Sequence, residues 1–426
     1  MRAASDGTPR TVRAVTSATS ATHSGATTAS TSASAAPRAS TTVSISSRVI
    51  TYGGASSRWS PATPAAAQLK LGVVDNLAGA AAAYGIAHAN GIKMAVDEIN
   101  EAGGIKGVGK IEVIVEDDGS KPTEAVNATN KLLTRDKIDF LMGSCSSATT
   151  LAMVPIHTRA QMINLNSCSS SKLITDPLPD GKPNPWIFRT QYRSDRTAAY
   201  VGEFAIKELG AKKVGVLNDT NEYGRAAAEG AVTHLKHLGQ VEVVQETYNS
   251  GDKTFSAQLL KFKAAGIDTV AYFGYYQEAA LILKQAKQLG VDIKMVTTDV
   301  LHTPTFIELA GKDADGVLVT TAFTKDSNDA KALKFTEAYK KKYGKDATGQ
   351  SAMGYDAVYM MKWAYEKAGS KDKQKVRDAL AGISGFVGVS GETKFKERGD
   401  DMRPFLVTVI SGDKWIPYEE WKKGRR

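Results

Sequence analysis

Residues 75–83 (DNLAGAAAA) are the stretch whose types and spacing best suit a chemical role. They break from a short alternating strand at 69–74 and lead into an amphipathic helix that begins near Tyr84. Small side chains let backbone N–H groups approach a ligand closely, and a helix N-terminus favours an anion. The chemistry offered is non-covalent capture; the same alanines also suit close packing of the helix. Other candidates are weaker. Gly104-Ile-Lys-Gly107-Val-Gly109 follows a helix rather than a strand, so it reads as a turn and not a dinucleotide fingerprint. His234 and His237 lie three apart on a helix with no third ligand nearby, the pattern of a solvated face. Gly388-Val-Ser390-Gly391 lacks the second spacer of a nucleophile elbow. There is no Walker sequence and no Ser/His/Asp order, so neither enzyme activity nor a cofactor is expected. Cys145 and Cys168 are too few for a disulfide scaffold, and no spacing suggests a metal.

The elements that position the loop follow in order. The helix after it places Ile92, Ala95, Val96 and Ile99 on one face, and Gly103-Gly104 stops it. Strands follow at 111–115, 138–142 and 161–165, with helices at 122–133 and 148–159 between them. Residues 176–189 hold four prolines and read as a long connection. A second series follows. Its helices are at 198–209, 226–238, 255–265, 278–289 and 305–310, and its strands at 213–217, 241–247, 269–273, 294–297 and 317–322. Helices at 330–343, 352–368 and 373–381 and a strand at 405–410 close the chain. Strands alternating with helices imply an α/β protein with parallel, doubly wound sheets. Such sheets bind ligands outside the carboxyl ends of their strands.

The chain has 426 residues, 42% hydrophobic, enough for two or three packed domains. Its net charge of +9 is unevenly spread. Residues 1–67 carry six Arg, no Lys and one acid, leaving only +4 for residues 68–426. That excludes a basic nucleic-acid surface on the folded part. Ser, Thr and Ala fill 42 of the first 67 positions, a composition that cannot bury a core, so 1–67 is expected to be disordered. Ala65 and Ala67 suit a signal-peptidase site, but the apolar core of a secretory signal is missing, 43–52 being too polar. Three origins fit: a misassigned upstream start, a frameshift that replaced the true signal, or an unusual tail. The first two are favoured. No window is long and apolar enough to span a membrane.

Six segments together resemble one family. They are residues 91–107 (GIKMAVDEINEAGGIKG), Glu116-Asp117-Asp118, Gly143-Ser144-Cys145-Ser146-Ser147, Asn221-Glu222-Tyr223-Gly224, Gly274-Tyr275-Tyr276-Gln277-Glu278 and Gly316-Val317-Leu318-Val319. In order and spacing, over residues 69–418, they resemble the leucine/isoleucine/valine-type periplasmic binding proteins of ABC transporters. The resemblance implies a type I periplasmic-binding-protein fold: two α/β lobes joined by three chain crossings, here near Thr190, Ala322 and Lys394. Lobe 1 would comprise 68–190 plus 323–394, and lobe 2 191–322 plus 395–426. It also implies an exported, periplasmic receptor that closes on its solute and is recognised by a membrane ABC permease. A monomer that binds no nucleic acid is expected. An aliphatic or branched-chain amino acid is the first ligand, an aromatic carboxylate the second, and urea or a short amide the third. A cytoplasmic ligand sensor on the same fold is the alternative from another class.

Carried over residue by residue, the ligand carboxylate falls to Ser146, Ser169 and Ser170 with nearby backbone N–H groups. The ammonium falls to Asp299, where the family has Glu; the shorter side chain requires a deeper ligand or a bridging water. Tyr223 and Tyr276 match tyrosines that wall the cleft from the second lobe, and Tyr84 an aromatic that covers the ligand from the first. Amino-acid-binding relatives often pair the cysteine matched by Cys145 with one in the preceding unit, but Ser120 stands at that place here. Cys168 lies in the next strand's loop, and neighbouring strand ends lie ~5 Å apart, within disulfide reach. A Cys145–Cys168 bond is therefore expected in an oxidising compartment.

Overall fold

The computed structural model describes residues 68–426 apart from 177, 179, 180, 240, 326–328, 394, 396–399, 401–404, 425 and 426. The segment 1–67, with Ala65 and Ala67, and the crossing near Lys394 lie outside the described residues.

The first series runs β1 (Leu69–Asp75), α1 (Ala82–Glu101), β2 (Ile111–Asp117), α2 (Pro122–Lys131), β3 (Phe140–Gly143), α3 (Ser147–Arg159), β4 (Asn164–Asn166) and β5 (Ile187–Arg189). Its five strands are all parallel, in the order β2-β1-β3-β4-β5. Pro122 opens α2, where its missing N–H costs nothing. The proline-rich stretch read as connection to 189 ends in a strand, because Ile187, Phe188 and Arg189 pair with β4. Three residues are too few to show an alternating pattern.

The second series runs α4 (Ser194–Lys207), β6 (Lys213–Asp219), α5 (Glu222–Leu238), β7 (Glu242–Tyr248), α6 (Ser256–Ala265), β8 (Thr269–Phe273), α7 (Tyr276–Gln288), β9 (Lys294–Thr297), α8 (Pro304–Ala310) and β10 (Leu318–Thr321). The chain then returns to the first sheet as α9 (Ala330–Tyr343), α10 (Gly349–Ala368) and α11 (Lys373–Ala381). Met360, Met361, Ala364, Val376 and Leu380 share one buried cluster with Leu69, Leu71, Val73 and Phe140. A small ribbon, β11 (Phe386–Gly388) and β12 (Gly391–Thr393), precedes β13 (Leu406–Ser411), β14 (Lys414–Pro417) and α12 (Tyr418–Lys423).

The second sheet has the order β14-β13-β10-β9-β8-β6-β7. Strands β6 to β10 are parallel, but β13 is antiparallel to β10 and β14 to β13. The ribbon, β14 and α12 are absent from the sequence reading; each is short and two-stranded ribbons carry little periodicity. Among the described residues the chain thus passes between the sheets after Arg189, after Thr321, and again before Leu406.

One close approach recurs in both series. A Cβ on Gly85, early in α1, would lie 2.2 Å from the Asn76 carbonyl oxygen just beyond β1. A Cβ on Gly224, early in α5, would lie 2.2 Å from the Asp219 oxygen at the end of β6. Glycine lets each helix start tightly against the strand it follows. It also draws Tyr84 and Tyr223, the residues just before, toward the strand ends.

Candidate functional site

Between the carboxyl ends of the two sheets lies a buried cavity of about 20 Å³. The first sheet contributes the loops after β3 and β4. Ser147 and Ser170 line the cavity, as do Cys145 and Cys168. The two cysteine sulfurs are bonded to each other, with Cα atoms 4.6 Å apart, so the bond ties the two loops together.

The carried-over serines divide. Ser170 faces the cavity. Ser146 occupies the cap position of α3 without using its side chain as a cap; its hydroxyl is hydrogen-bonded to the Tyr275 phenol of the second series. The Ser169 hydroxyl is committed to the Ser144 carbonyl and to Thr150 Oγ1, and its N–H donates to Asn166 Oδ1 at 3.0 Å.

The aromatic wall comes from both sides. Tyr223 sits in the first turn of α5, which Asn221 caps through the Gly224 N–H, so the helix begins ahead of the 226 expected from sequence. Its hydroxyl lies 2.6 Å from Thr298 Oγ1, and its ring is parallel to Tyr275 with centroids 6.0 Å apart. Tyr84 meets Tyr275 and Tyr276 edge-on, at 5.7 and 5.3 Å. The Tyr84 hydroxyl donates to the Val300 carbonyl at 2.7 Å. Tyr276 is turned the other way: its hydroxyl accepts from the Ala83 N–H at 3.4 Å, and its ring borders an outer groove beside Thr303 and Pro304. Burial pushes the Tyr84, Tyr223 and Tyr275 phenols well up, so all three stay neutral donors.

Asp299 opens a short 3₁₀ turn after β9 and is 7% exposed. Its Oδ2 accepts from Gln191 Nε2 at 2.9 Å and from Gln350 Nε2 at 3.4 Å. Burial pushes its carboxyl up to about 6, with the Gln191 hydrogen bond pulling the other way. Gln191 stands at the first passage between sheets, and Gln350 at the start of α10. Gln191, Tyr275, Val300, Ser147 and Gln350 all line the cavity and were not singled out from sequence. Ser147 and Tyr275 lie inside two of the family segments; the two glutamines carry no local signal.

A cavity of about 20 Å³ holds a water molecule or so. The walls must part to admit an amino acid, and Tyr84, Cys145 and Cys168 belong to the second sheet's apolar cluster in this closed arrangement.

Behind the site, His88 Nδ1 lies 2.5 Å from Asp75 Oδ2 and His88 Nε2 2.6 Å from Ser167 Oγ. This Asp-His-Ser chain, an order not recognised in the sequence because its members lie 13 and 79 residues apart, is fully buried in this arrangement. Asp75, His88 and Cys145 also offer atoms within 4.8 Å of one another, but the Cys145 sulfur is used in the disulfide. The three groups brace the loop that carries Cys168.

The family model for periplasmic binding proteins matches residues 68–414. The chain belongs to the periplasmic binding protein family. This periplasmic binding protein is 31% identical to the leucine-, isoleucine-, valine-, threonine- and alanine-binding protein of Pseudomonas aeruginosa, over 82% of this chain and 91% of the relative. It superposes with a TM-score of 0.75 and 29% identity on a branched-chain amino acid transporter substrate-binding protein of Streptococcus pneumoniae solved with isoleucine, covering 82% of this chain and 97% of that one. A solute-binding protein of an ABC transporter from R. palustris, solved with benzoate, gives a TM-score of 0.74 at 22% identity, over 82% and 95% of the two chains. That last likeness is one of fold alone. The type I periplasmic-binding fold expected from sequence is thus present, and these relatives are solute-binding proteins. Among the described residues no helix is long and apolar enough to cross a membrane.

Proposed function

We propose that this protein is an extracytoplasmic solute receptor of an ABC importer and that its cleft takes an aliphatic, branched-chain amino acid. The observation that carries the reading is the buried Asp299 carboxylate in the same small cavity as Ser147 and Ser170. A buried acid needs a cation, and hydroxyls at a helix start suit a carboxylate. An amino acid supplies both charges. The relatives' substrates point the same way.

In this reading Ser170, with Ser146 and Ser169 shaping the loops, holds the ligand carboxylate, and Asp299 holds its ammonium. Tyr84 and Tyr223 wall the cleft with Tyr275, and Tyr276 latches it from outside through the Ala83 N–H. Residues 68–190 with 323–394 move as one lobe, and 191–322 with 395–426 as the other, hinged at the crossings. The closed form is what a membrane permease recognises. The protein works as a periplasmic monomer, makes and breaks no bond, and binds neither cofactor, metal nor nucleic acid. An aromatic carboxylate is the second reading; the tyrosines favour it, and the uncompensated Asp299 charge counts against it.

The test is a thermal-shift and calorimetric panel on the chain from Gln68, with leucine, isoleucine, valine, benzoate and urea. Binding of leucine, isoleucine or valine is the expected result. Tight binding of benzoate alone would overturn it, as would recovery of the native protein from the cytoplasm.

A further inference from the structure

We propose that Gln350 sets the specificity of the cleft: its side-chain carbonyl accepts a second N–H from the ligand group bound by Asp299, so the site selects an ammonium over a hydroxyl or a hydrocarbon. This rests on the amino-acid reading above and adds a residue and a rule to it.

The placement of Gln350 is fixed by its helix. Thr348 and Ser351 cap the first turn of α10 reciprocally: the Thr348 N–H donates to Ser351 Oγ at 2.9 Å, and the Ser351 N–H to Thr348 Oγ1 at 3.4 Å. Gln350 lies between them, 4% exposed, on the cavity wall. Its Nε2 faces Asp299 Oδ2 at 3.4 Å. Turning the amide over would set its oxygen against the carboxylate, acceptor against acceptor, so the nitrogen belongs on that side. The oxygen Oε1 is then shielded from solvent and has no hydrogen-bond partner.

Gln191 makes the contrast. Both ends of its amide are used: Nε2 donates to Asp299 Oδ2, and Oε1 accepts from the Tyr192 N–H at 2.9 Å. Gln191 therefore holds Asp299 in place, while Gln350 keeps an acceptor in reserve beside it. Buried acceptors are rarely left empty, because the lost hydration is not replaced. A primary ammonium carries three donors and can satisfy both Asp299 and Gln350 Oε1. A hydroxyl carries one donor, and a hydrocarbon carries none. Sites built around such an acceptor reject the analogue that lacks the donor. The second acceptor also offsets the shorter reach of Asp299 relative to the family's Glu.

Isothermal titration on the chain from Gln68 tests this, with L-leucine, 2-hydroxy-4-methylpentanoate and 4-methylpentanoate as probes. For Gln350→Met, which keeps the length and removes the acceptor, leucine affinity should fall at least tenfold while the affinity for 4-methylpentanoate stays within threefold of the wild type. Unchanged leucine affinity in a folded Gln350→Met variant overturns the inference, and so does an equal loss for both probes. If that variant does not fold, Gln350→Leu is measured with the same probes and criteria, and the wild type is checked as well. Leucine should bind at least a hundredfold more tightly than the hydroxy acid, and a difference under tenfold overturns the proposal. A wild type that binds benzoate and none of the amino acids overturns the underlying reading and this one with it, which separates the two failures.

Discussion

The hydroxyl of Tyr84, on the first helix, donates a 2.7 Å hydrogen bond to the main-chain carbonyl of Val300, in the loop after β9 of the other sheet. The bond spans the cleft, 216 residues apart in sequence, and forms only when the two sheets face each other closely. The Tyr84 ring stays packed on Tyr275 and Tyr276 whether or not the hydroxyl is present. Tyr84→Phe therefore removes one cross-cleft hydrogen bond and little else. A net loss of about 0.5–1.5 kcal/mol is expected, or roughly 2–13-fold in leucine affinity by calorimetry. Ligand-free Tyr84→Phe should also show a larger radius of gyration in solution scattering than the wild type.

Asp299 gives the site a pH dependence whose sign follows from its raised carboxyl. Without ligand it takes up a proton as pH falls through about 6. An ammonium needs the ionised form, so protonation competes with the amino acid. Leucine affinity should be flat above pH 7 and roughly tenfold weaker at pH 5, a tenfold change per pH unit below the carboxyl's midpoint. Asp299→Asn should flatten that profile and bind leucine weakly at every pH. The same shift acts oppositely on the empty protein: burial penalises the charged carboxylate, so Asp299 by itself makes the folded state more stable as pH falls from 7 toward 4.

The Cys145–Cys168 bond closes a loop with a sequence separation of 23. A loop of that size restricts the unfolded chain by about 3 kcal/mol. Replacing both cysteines by serine should lower unfolding stability by that order in a urea titration. It should also weaken leucine binding, because the bond joins the loop of Ser146 and Ser147 to that of Ser169 and Ser170. A native protein in which mass spectrometry finds two free thiols would leave the double variant as stable as the wild type.

Arg189, fully buried at the end of β5, donates from Nε to Asp400 Oδ1 at 3.0 Å and from Nη2 to Thr175 Oγ1 at 2.7 Å. Arg193 lies 3.6 Å from the other Asp400 oxygen. The pair fastens the first passage between sheets to the last. Arg189→Met leaves the buried Asp400 carboxylate with only Arg193 and the Thr175 hydroxyl, and should cost up to about 3 kcal/mol in denaturant unfolding. Removing the charge as well, with Arg189→Met and Asp400→Leu together, should recover more than half of that loss.

Much of this was legible in the residues. Alternating strands and helices gave the α/β class, and the glycines at 103 and 104 ended the first helix where the structure ends it. The hydroxyl-rich loops after β3 and β4 do stand at the strand ends. Signals of this kind are local: a repeat of two or near four residues records which face of one element is buried. Strands of three or four residues, such as β5 and β14, are too short to show it.

By itself, then, the sequence determined two wound α/β halves and set Cys145 and Cys168 in successive strand-end loops; the acid at 299 came only with the family resemblance. Only the tertiary structure decided which hydroxyl faces the cavity: Ser170 does, while Ser169 is spent on Ser144 and Thr150. It also decided that Asp299 is gripped by Gln191, 108 residues away, and by Gln350, 51 residues away at the start of α10, a helix packed on the first sheet. No pattern along the chain encodes such meetings, because they depend on how the passages between sheets bring distant strand ends together. A hydrogen bond is set by tenths of an ångström and by direction, and periodicity carries neither.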